Sequence, residues 1–340
     1  MLILDIHDPR WSAFVEASPQ ALPFHHPRWA SLLGACYGYR PFVLALVDSA
    51  GTITAGLPIV EVGGRFRTRR WVSLPFTDVC PPLLAHHSAA GGLLDALMDE
   101  LAARRVAVCE VRTELVPRAR LHTHVAGVRH QLPLTRDASV VAQGFTRMHA
   151  RNIRKAELSG LQIEHGTSQQ AVDTFYRLHL LTRRRLGVPI QPRRFFELLA
   201  QEVLVAGLGF VVTVRYGDIP LAAAVFLAWN GVLVYKYGAS DTHYWNLRPN
   251  HLLFWSAIRW GCEHDYRLLD WGRTDLADRG LRDFKSGWGA LESPLAYAVM
   301  ADQPPSLAPG RLRSAMRLLI RHSSPWVCRT LGEHLYRYAG

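Results

Sequence analysis

Lysine is the rare cation in this 340-residue chain: of 39 Lys and Arg residues, only Lys155, Lys236 and Lys285 are lysines. Where positive charge is otherwise written as arginine, a retained lysine marks a place that needs a compact, tunable ammonium rather than a planar fork. Lys236 and Lys285 fall in Val232–Ala290, where aromatic and charged residues mix most densely. That segment contains Tyr235-Lys236-Tyr237-Gly-Ala-Ser, Arg248-Pro-Asn250, Leu-Asp270-Trp-Gly-Arg273 and Phe284-Lys285-Ser-Gly-Trp288-Gly. Strand, loop, helix, strand and loop in that order can splay a pair of neighbouring strands and set a helix start at the gap. With Asn250 as N-cap, the free amides of that helix are able to meet an anion. Lys236 and Tyr237, adjacent in mid-strand, point to opposite faces, so one of them is expected to line the cleft.

Other chemistries are excluded by what is missing. There is no G-x-S-x-G elbow, no Walker G-x-x-x-x-G-K-[ST] and no G-x-G-x-x-G opening a helix. Sixteen histidines, including His25-His26, His86-His87 and His122-Thr-His124, give no metal-ligand spacing, and no metal is expected. Five widely spaced cysteines without a C-x-x-C pair fit reduced thiols and a cytoplasmic location. Met1-Leu-Ile-Leu-Asp5 lacks the basic leader of a signal peptide. Val203–Val214 and Leu221–Val234 are too short or too interrupted for a membrane span, which needs about 20 residues. A formal net charge of +11 favours anionic partners: nucleic acid, nucleotide phosphates or an acidic membrane face.

The elements that must position these residues follow from periodicity. Helices are expected at Trp11–Ala17, Pro27–Tyr37, Gly92–Arg104, Ser139–Ser159 (basic), Val172–Leu186, Arg193–Glu202 and Asn250–His264. Strands are expected at Phe42–Asp48, Ile53–Val60, Arg69–Leu74, Val106–Arg112, Phe210–Tyr216, Leu221–Trp229, Val232–Tyr237, Leu268–Trp271 and Leu295–Met300. The strand–glycine–strand unit around Gly51 is echoed around Gly217, each preceded by helices, which argues for duplicated α+β halves. The expected division is 1–138, 139–302 and a tail, 303–340, set off by Gln303-Pro-Pro-Ser-Leu-Ala-Pro-Gly310. In the tail, Arg311, Arg313, Arg317, Arg321, Arg329 and Arg337 oppose one acid, Glu333. Arg313, Arg317 and Arg321 make one basic face of an amphipathic helix, which either packs on the core or lies on an anionic membrane.

The Tyr235–Ser240 run, the Asp270–Arg273 strand end and Phe284-Lys285-x-x-Trp288-Gly together resemble the FemAB-related, CelD-like branch of the GNAT acyltransferases, a branch associated with polysaccharide biosynthesis. Arg151-Asn-Ile-Arg154-Lys155-Ala, Phe24-His-x-Pro-x-Trp29 and Leu74-Pro-Phe are similar to further pieces of that branch, so the likeness spans about residues 20–295. It implies two tandem GNAT-like domains with mixed, mostly antiparallel sheets flanked by helices. It also implies transfer of an acyl or aminoacyl group to an amine. Phe284-Lys285 is similar to a Phe-Lys pair that contributes to catalysis in Fem-type peptidyltransferases; Lys285 would then set its ammonium beside a developing oxyanion or a donor phosphate. Arg151, Arg154 and Lys155 resemble the helix that meets an anionic acceptor. Tyr235, Lys236, Tyr237, Arg273, Phe284 and Trp288 complete the expected substrate site, and Asn250 the expected donor contact. Asp270 and Arg273 are expected to orient the loop as a mutual ion pair, and Asp270, Asp275 and His243 remain open as the general base.

Two departures leave the donor open. The long coiled-coil arm of some Fem ligases is missing, since Val172–Glu202 is short and interrupted by Pro189 and Pro192. The Arg/Gln-x-x-Gly-x-Gly/Ala pyrophosphate loop is missing before Asn250. The resulting expectation is an N-acyltransferase acting on an amine of a cell-envelope or exopolysaccharide precursor, with acyl-CoA or aminoacyl-tRNA as co-substrate and no resident cofactor. The alternatives are a Fem-like aminoacyl-tRNA-dependent ligase and a non-catalytic basic protein binding membrane or nucleic acid.

Overall fold

Both hairpins that echo each other turn on a left-handed glycine, Gly51 at φ +82° and Gly217 at φ +53°, a backbone region that costs other residues strain. The computed structural model describes residues 1–62, 69–303, 320 and 325–336. The chain divides into a unit containing Met1–Gly127 with the segment from Pro294, and a unit containing Val128–Ser293 with the helix at Pro325–Leu335. Each is an α+β unit with a mixed, mostly antiparallel sheet flanked by helices.

The first unit runs β1 (Leu2–Asp5), α1 (Pro9–Ala17), α2 (Pro27–Tyr37), β2 (Arg40–Val47), β3 (Ile53–Val62), β4 (Arg70–Val72), β5 (Leu83–Leu84), α3 (Ala89–Ala103), β6 (Val108–Val111) and the start of β7 (Leu121–Pro133). Its strands lie in the order β1-β2-β3-β4-β6, antiparallel except for β4 with β6. Pro27 opens α2 and Gly38, at φ 73°, closes it, as their residue types predict. The α3 leucines Leu93, Leu94, Leu97 and Leu101 pack on Leu44, Leu57 and Ile59 of the sheet.

The second unit contains the end of β7, α4 (Ala138–Ala142), α5 (Arg147–Glu157), β8 (Gln162–Gly166), α6 (Gln169–Leu186), α7 (Arg193–Leu198), β9 (Gly209–Tyr216), β10 (Ile219–Trp229), β11 (Val232–Ser240), α8 (Pro249–Glu263), β12 (Leu268–Thr274), α9 (Arg279–Ser286), the start of β13 (Leu291–Met300) and α10 (Pro325–Leu335). Its order is β7-β12-β11-β10-β9-β8, antiparallel except for β11 with β12. Phe210, Val212, Ala224 and Phe226 pack against Leu252, Leu253, Ala257 and Ile258 of α8. Each buried leucine or isoleucine there contributes about 2 kcal/mol of transfer free energy.

Three expectations need correction. The basic helix expected over Ser139–Ser159 is two helices, because Thr146 leaves helical geometry (ψ 151°) to cap α5, accepting from His149 N through Oγ1, while its own N–H bonds Gly287 O. The N-cap of α8 is Arg248, at φ 61°, not Asn250; Pro249 takes the first helical position and fixes the start one residue earlier. Strands β7 and β8 and helix α9 are elements that the periodicity does not reveal. Of the expected basic tail, the Arg313–Arg321 repeat lies outside the described residues.

Candidate active site

Strands β11 and β12 pair only through Val232–Val234 and Leu268–Asp270. Beyond that point β11 continues along β10 to Ser240, while β12 continues along β7 to Thr274. A cavity of about 290 Å³ opens where they diverge. Its walls include Ala223, Ala224, Tyr235, Gly238, Leu253, Phe254, Trp271 and Phe284, with Thr182, Arg185, Ser240, Trp245, Asn250 and Lys285 as the polar members. A largely apolar slot with few polar groups is the form of a small-molecule site.

A bulge decides which tyrosine faces it. Strict alternation puts Tyr235 and Tyr237 on one side of β11. Instead Phe226 opposes Tyr235 and the preceding Val225 opposes Tyr237, so Lys236 is an extra residue and the parity inverts. Tyr235 packs on Phe254 (4.9 Å) and Phe226 (5.7 Å) beside the cavity, and burial pushes its hydroxyl up to about 12. Tyr237 turns the other way, onto Phe175, His179, Phe195 and Phe196. The Lys236 ammonium lies 5.3 Å from the Tyr237 ring. Neither Lys236 nor Tyr237 lines the cavity, contrary to the alternation argument. Gly238 has to be glycine, since a Cβ there would sit 1.9 Å from Tyr235 Oη.

Lys285 reaches the cavity from α9, a helix capped by Asp278, whose Oδ1 accepts from Leu281 N. It is 2% exposed, and its Nζ donates to Trp271 O (2.7 Å), Thr274 Oγ1 (2.7 Å) and Gly272 O (3.4 Å). The end of β12 that offers these oxygens turns at Gly272 (φ 65°), and Asp270 Oδ1 holds the turn by accepting from Gly272 N at 2.9 Å. Asp270 Oδ2 accepts from both Nε (2.8 Å) and Nη2 of Arg129 on β7. The expected Asp270–Arg273 pair does not form; Arg273 pairs with Asp275 at 2.7 Å instead. His243 pairs with Asp241, also at 2.7 Å. Asp270, Asp275 and His243 are thus each engaged with a partner, and none of them lines the cavity.

Asn250 does line it. Asn250 Nδ2 (3.3 Å) and Trp245 Nε1 (2.9 Å) both donate to Ser240 Oγ, while Ser240 N–H donates to Thr182 Oγ1 (3.1 Å). Ser240 Oγ therefore accepts twice and keeps its own hydrogen as a donor. Arg185 stacks 5.0 Å from the Trp245 ring. The start of α8 presents a single outward amide, that of Asn250: Pro249 has none, and His251 N and Leu252 N bond Arg248 O.

Behind Phe284-Lys285 lies a buried cluster that the motifs do not indicate. His149 Nε2–H donates to Phe284 O (3.0 Å) and Nδ1 accepts from Thr146 Oγ1 (3.0 Å), the one tautomer that fits both bonds. Its ring meets Trp288 edge to face at 4.9 Å and His251 at 5.0 Å, and Asn152 Nδ2 donates to His251 Nε2. Burial lowers the proton affinity of His149, and burial together with His149 and Arg248 lowers that of His251 to about 4, so both rings are neutral. His149 and Asn152, three apart, are the inner face of the same α5 motif whose outer face carries Arg151, Arg154 and Lys155. Those three cations are exposed and do not line the cavity. Trp288 is fully buried in the core rather than in the cavity wall. Among the described residues, no three His, Cys, Asp or Glu side chains come together to hold a metal.

Residues 144–286 match the acetyltransferase (GNAT) domain family. The chain has the fold of the GNAT acyltransferases. Its fold is similar to that of FemX, with a TM-score of 0.70 and 15% identity over 88% of this chain and 97% of FemX. L-PGS from Bacillus licheniformis is similar at TM-score 0.56 and 14% identity, over 92% of this chain and 96% of that one. A tandem GNAT protein from the clavulanic acid biosynthesis pathway is similar at TM-score 0.54 and 13% identity, over 90% and 99%. No curated protein matches by sequence. The two units of this GNAT-fold chain are the tandem GNAT-like domains that the residue motifs implied, and the family match falls on the unit that holds the cavity.

Proposed function

We propose that this GNAT-fold protein is an N-acyltransferase whose donor places its acyl end in the cavity between β11 and β12, beside Lys285. The observation that carries the reading is the buried Lys285 ammonium lining a small apolar slot. When an amine attacks the acyl carbonyl, negative charge gathers on the carbonyl oxygen, and a desolvated ammonium in place beforehand stabilises it. The long 3.4 Å bond to Gly272 O is the one Lys285 exchanges for that oxygen. Collapse of the tetrahedral adduct breaks the bond to the donor's leaving group, which takes up the proton lost by the amine, and releases the amide. Ser240, its Oγ already accepting two hydrogen bonds, donates to the bound donor.

The cavity favours an uncharged acyl group on a thioester over an aminoacyl group. Its lining holds the cations Arg185 and Lys285 and no carboxylate to receive a free ammonium. An aminoacyl donor is the second reading, favoured by the single amide at the start of α8, which is a poor pyrophosphate cradle. The acceptor we assign is an amine on a cell-envelope or exopolysaccharide precursor on the cytoplasmic side. Among the described residues no helix is long and apolar enough to cross a membrane.

Native mass spectrometry of the chain with a mixture of CoA thioesters and charged transfer RNAs tests this. A retained thioester that is discharged by added amines, and at least about 100-fold more slowly in Lys285→Met, is the expected result. Retention of charged RNA alone would replace the thioester by an aminoacyl donor. Undiminished discharge in the variant would remove Lys285 from the chemistry.

A further inference from the structure

The outer face of α5 has no part in the cavity. At 3.6 residues per turn, Arg147, Arg151, Lys155 and Leu158 line up along one side of this helix, with Arg154 and Met148 flanking them. The opposite side, His149, Asn152, Ile153 and Ala156, is buried, so the helix is held rigidly with its basic side outward. Among the described residues, Arg147, Arg151, Arg154 and Lys155 make no ion pair or side-chain hydrogen bond. Elsewhere arginines are commonly paired, as in Arg10–Asp8, Arg70–Glu110, Arg193–Asp173 and Arg282–Glu292. The one acid of α5, Glu157, borders the buried side.

Two large apolar side chains stand among these cations. Leu158 is 79% exposed and Met148 53% exposed. Single exposed apolar side chains are ordinary, but two set among the unpaired cations of one helix suit a lipid headgroup layer: cations meet lipid phosphates while apolar tips enter the acyl boundary.

We propose that the outer face of α5 docks this protein on an anionic lipid surface, through Arg147, Arg151, Arg154 and Lys155 with Met148 and Leu158 inserted. The face carries no aromatic platform of the kind that holds single-stranded nucleic acid, which leaves the lipid surface as the better fit. This surface is separate from the donor cavity, and the proposal stands whatever the acyl donor is.

The test is co-sedimentation of the full chain with vesicles of phosphatidylcholine, with and without phosphatidylglycerol, at low and high salt. Binding is expected to vesicles containing phosphatidylglycerol only, and to fall steeply with salt. Arg151→Glu with Lys155→Glu, both exposed and compatible with the fold, is expected to weaken it at least about 20-fold, at roughly fivefold for each cation removed. Met148→Ser with Leu158→Ser is expected to weaken binding while leaving its salt dependence in place. Arg313→Glu with Arg317→Glu, in the basic tail, is expected to leave it intact. The proposal is overturned if the wild-type chain ignores phosphatidylglycerol, if the α5 charge reversal pellets like wild type, if only the tail reversal matters, or if duplex RNA displaces the chain from vesicles at equal phosphate concentration.

Discussion

Replacing Gly287 with alanine separates local propensity from tertiary packing at the candidate site. Gly287 follows α9 with φ −62°, where alanine is allowed and on helix propensity alone stabilises by up to about 1 kcal/mol. The structure reverses that sign. A Cβ on residue 287 would lie 2.4 Å from Cε1, 2.8 Å from Nδ1 and 2.9 Å from Nε2 of His149. The ring cannot step aside, because Trp288 and His251 hold it from other directions. Either α9 lifts or His149 releases the Phe284 carbonyl. Overpacking costs about 1–3 kcal/mol, and leaving a buried donor and acceptor unmade costs a further 1–3 kcal/mol or so. Gly287→Ala is therefore expected to destabilise by about 1–6 kcal/mol once the propensity gain is set against these costs, read as a shift in the urea midpoint. Turnover should fall by about 100-fold in the protein that remains folded, since Phe284-Lys285 would be displaced by about an ångström. The decisive comparison is the double variant with His149→Ala, which removes the obstructing ring. The two changes should then cost about 2 kcal/mol less together than the sum of each alone. Additive costs, or a Gly287→Ala protein as stable as wild type, would refute the claim that His149 fixes the Phe284-Lys285 turn.

Two further outcomes follow from buried charge and buried imidazole. Asp270→Asn leaves the Arg129 guanidinium, itself largely buried, without its counter-charge, and should cost roughly 3 kcal/mol in a denaturant titration; a loss under about 0.5 kcal/mol would show the pair to be solvated. His25 is neutral in the fold, with Nδ1 accepting from Leu22 N and Nε2–H donating to Pro81 O, and burial pushes it down to about 4. The unfolded chain takes up that proton near pH 6.5, so stability is complete above this value and is lost as pH falls toward 4, by about 3 kcal/mol for this residue. Urea midpoints at pH 7.5 and 5 should differ less in His25→Gln than in wild type, and an equal difference would assign the acid sensitivity elsewhere.

The sequence by itself determined the elements whose side-chain period is strong and whose ends carry their own stop signals. Pro27–Tyr37 between a proline and a glycine, α6 from Val172 to its stop at Gly187, and the apolar strands β9 and β10 are fixed by interactions within a few residues, which composition records directly. The scarcity of lysine marked Lys155, Lys236 and Lys285 alike, and of these three the tertiary structure buries only Lys285, in the cavity wall. What only the tertiary structure decided are relations between distant segments. The bulge at Lys236 is a property of the β10–β11 register, so no alternation rule on β11 alone could assign Tyr235 rather than Tyr237 to the cavity. Asp270 takes Arg129 rather than Arg273 because β7, whose histidines and glycine blur its period, lies beside β12. His149 joins the site through Gly287, 138 positions along the chain, where the absence of a side chain makes room for an imidazole. Periodicity encodes which face of an element is buried; register and close approach, set only when the elements meet, choose its partner.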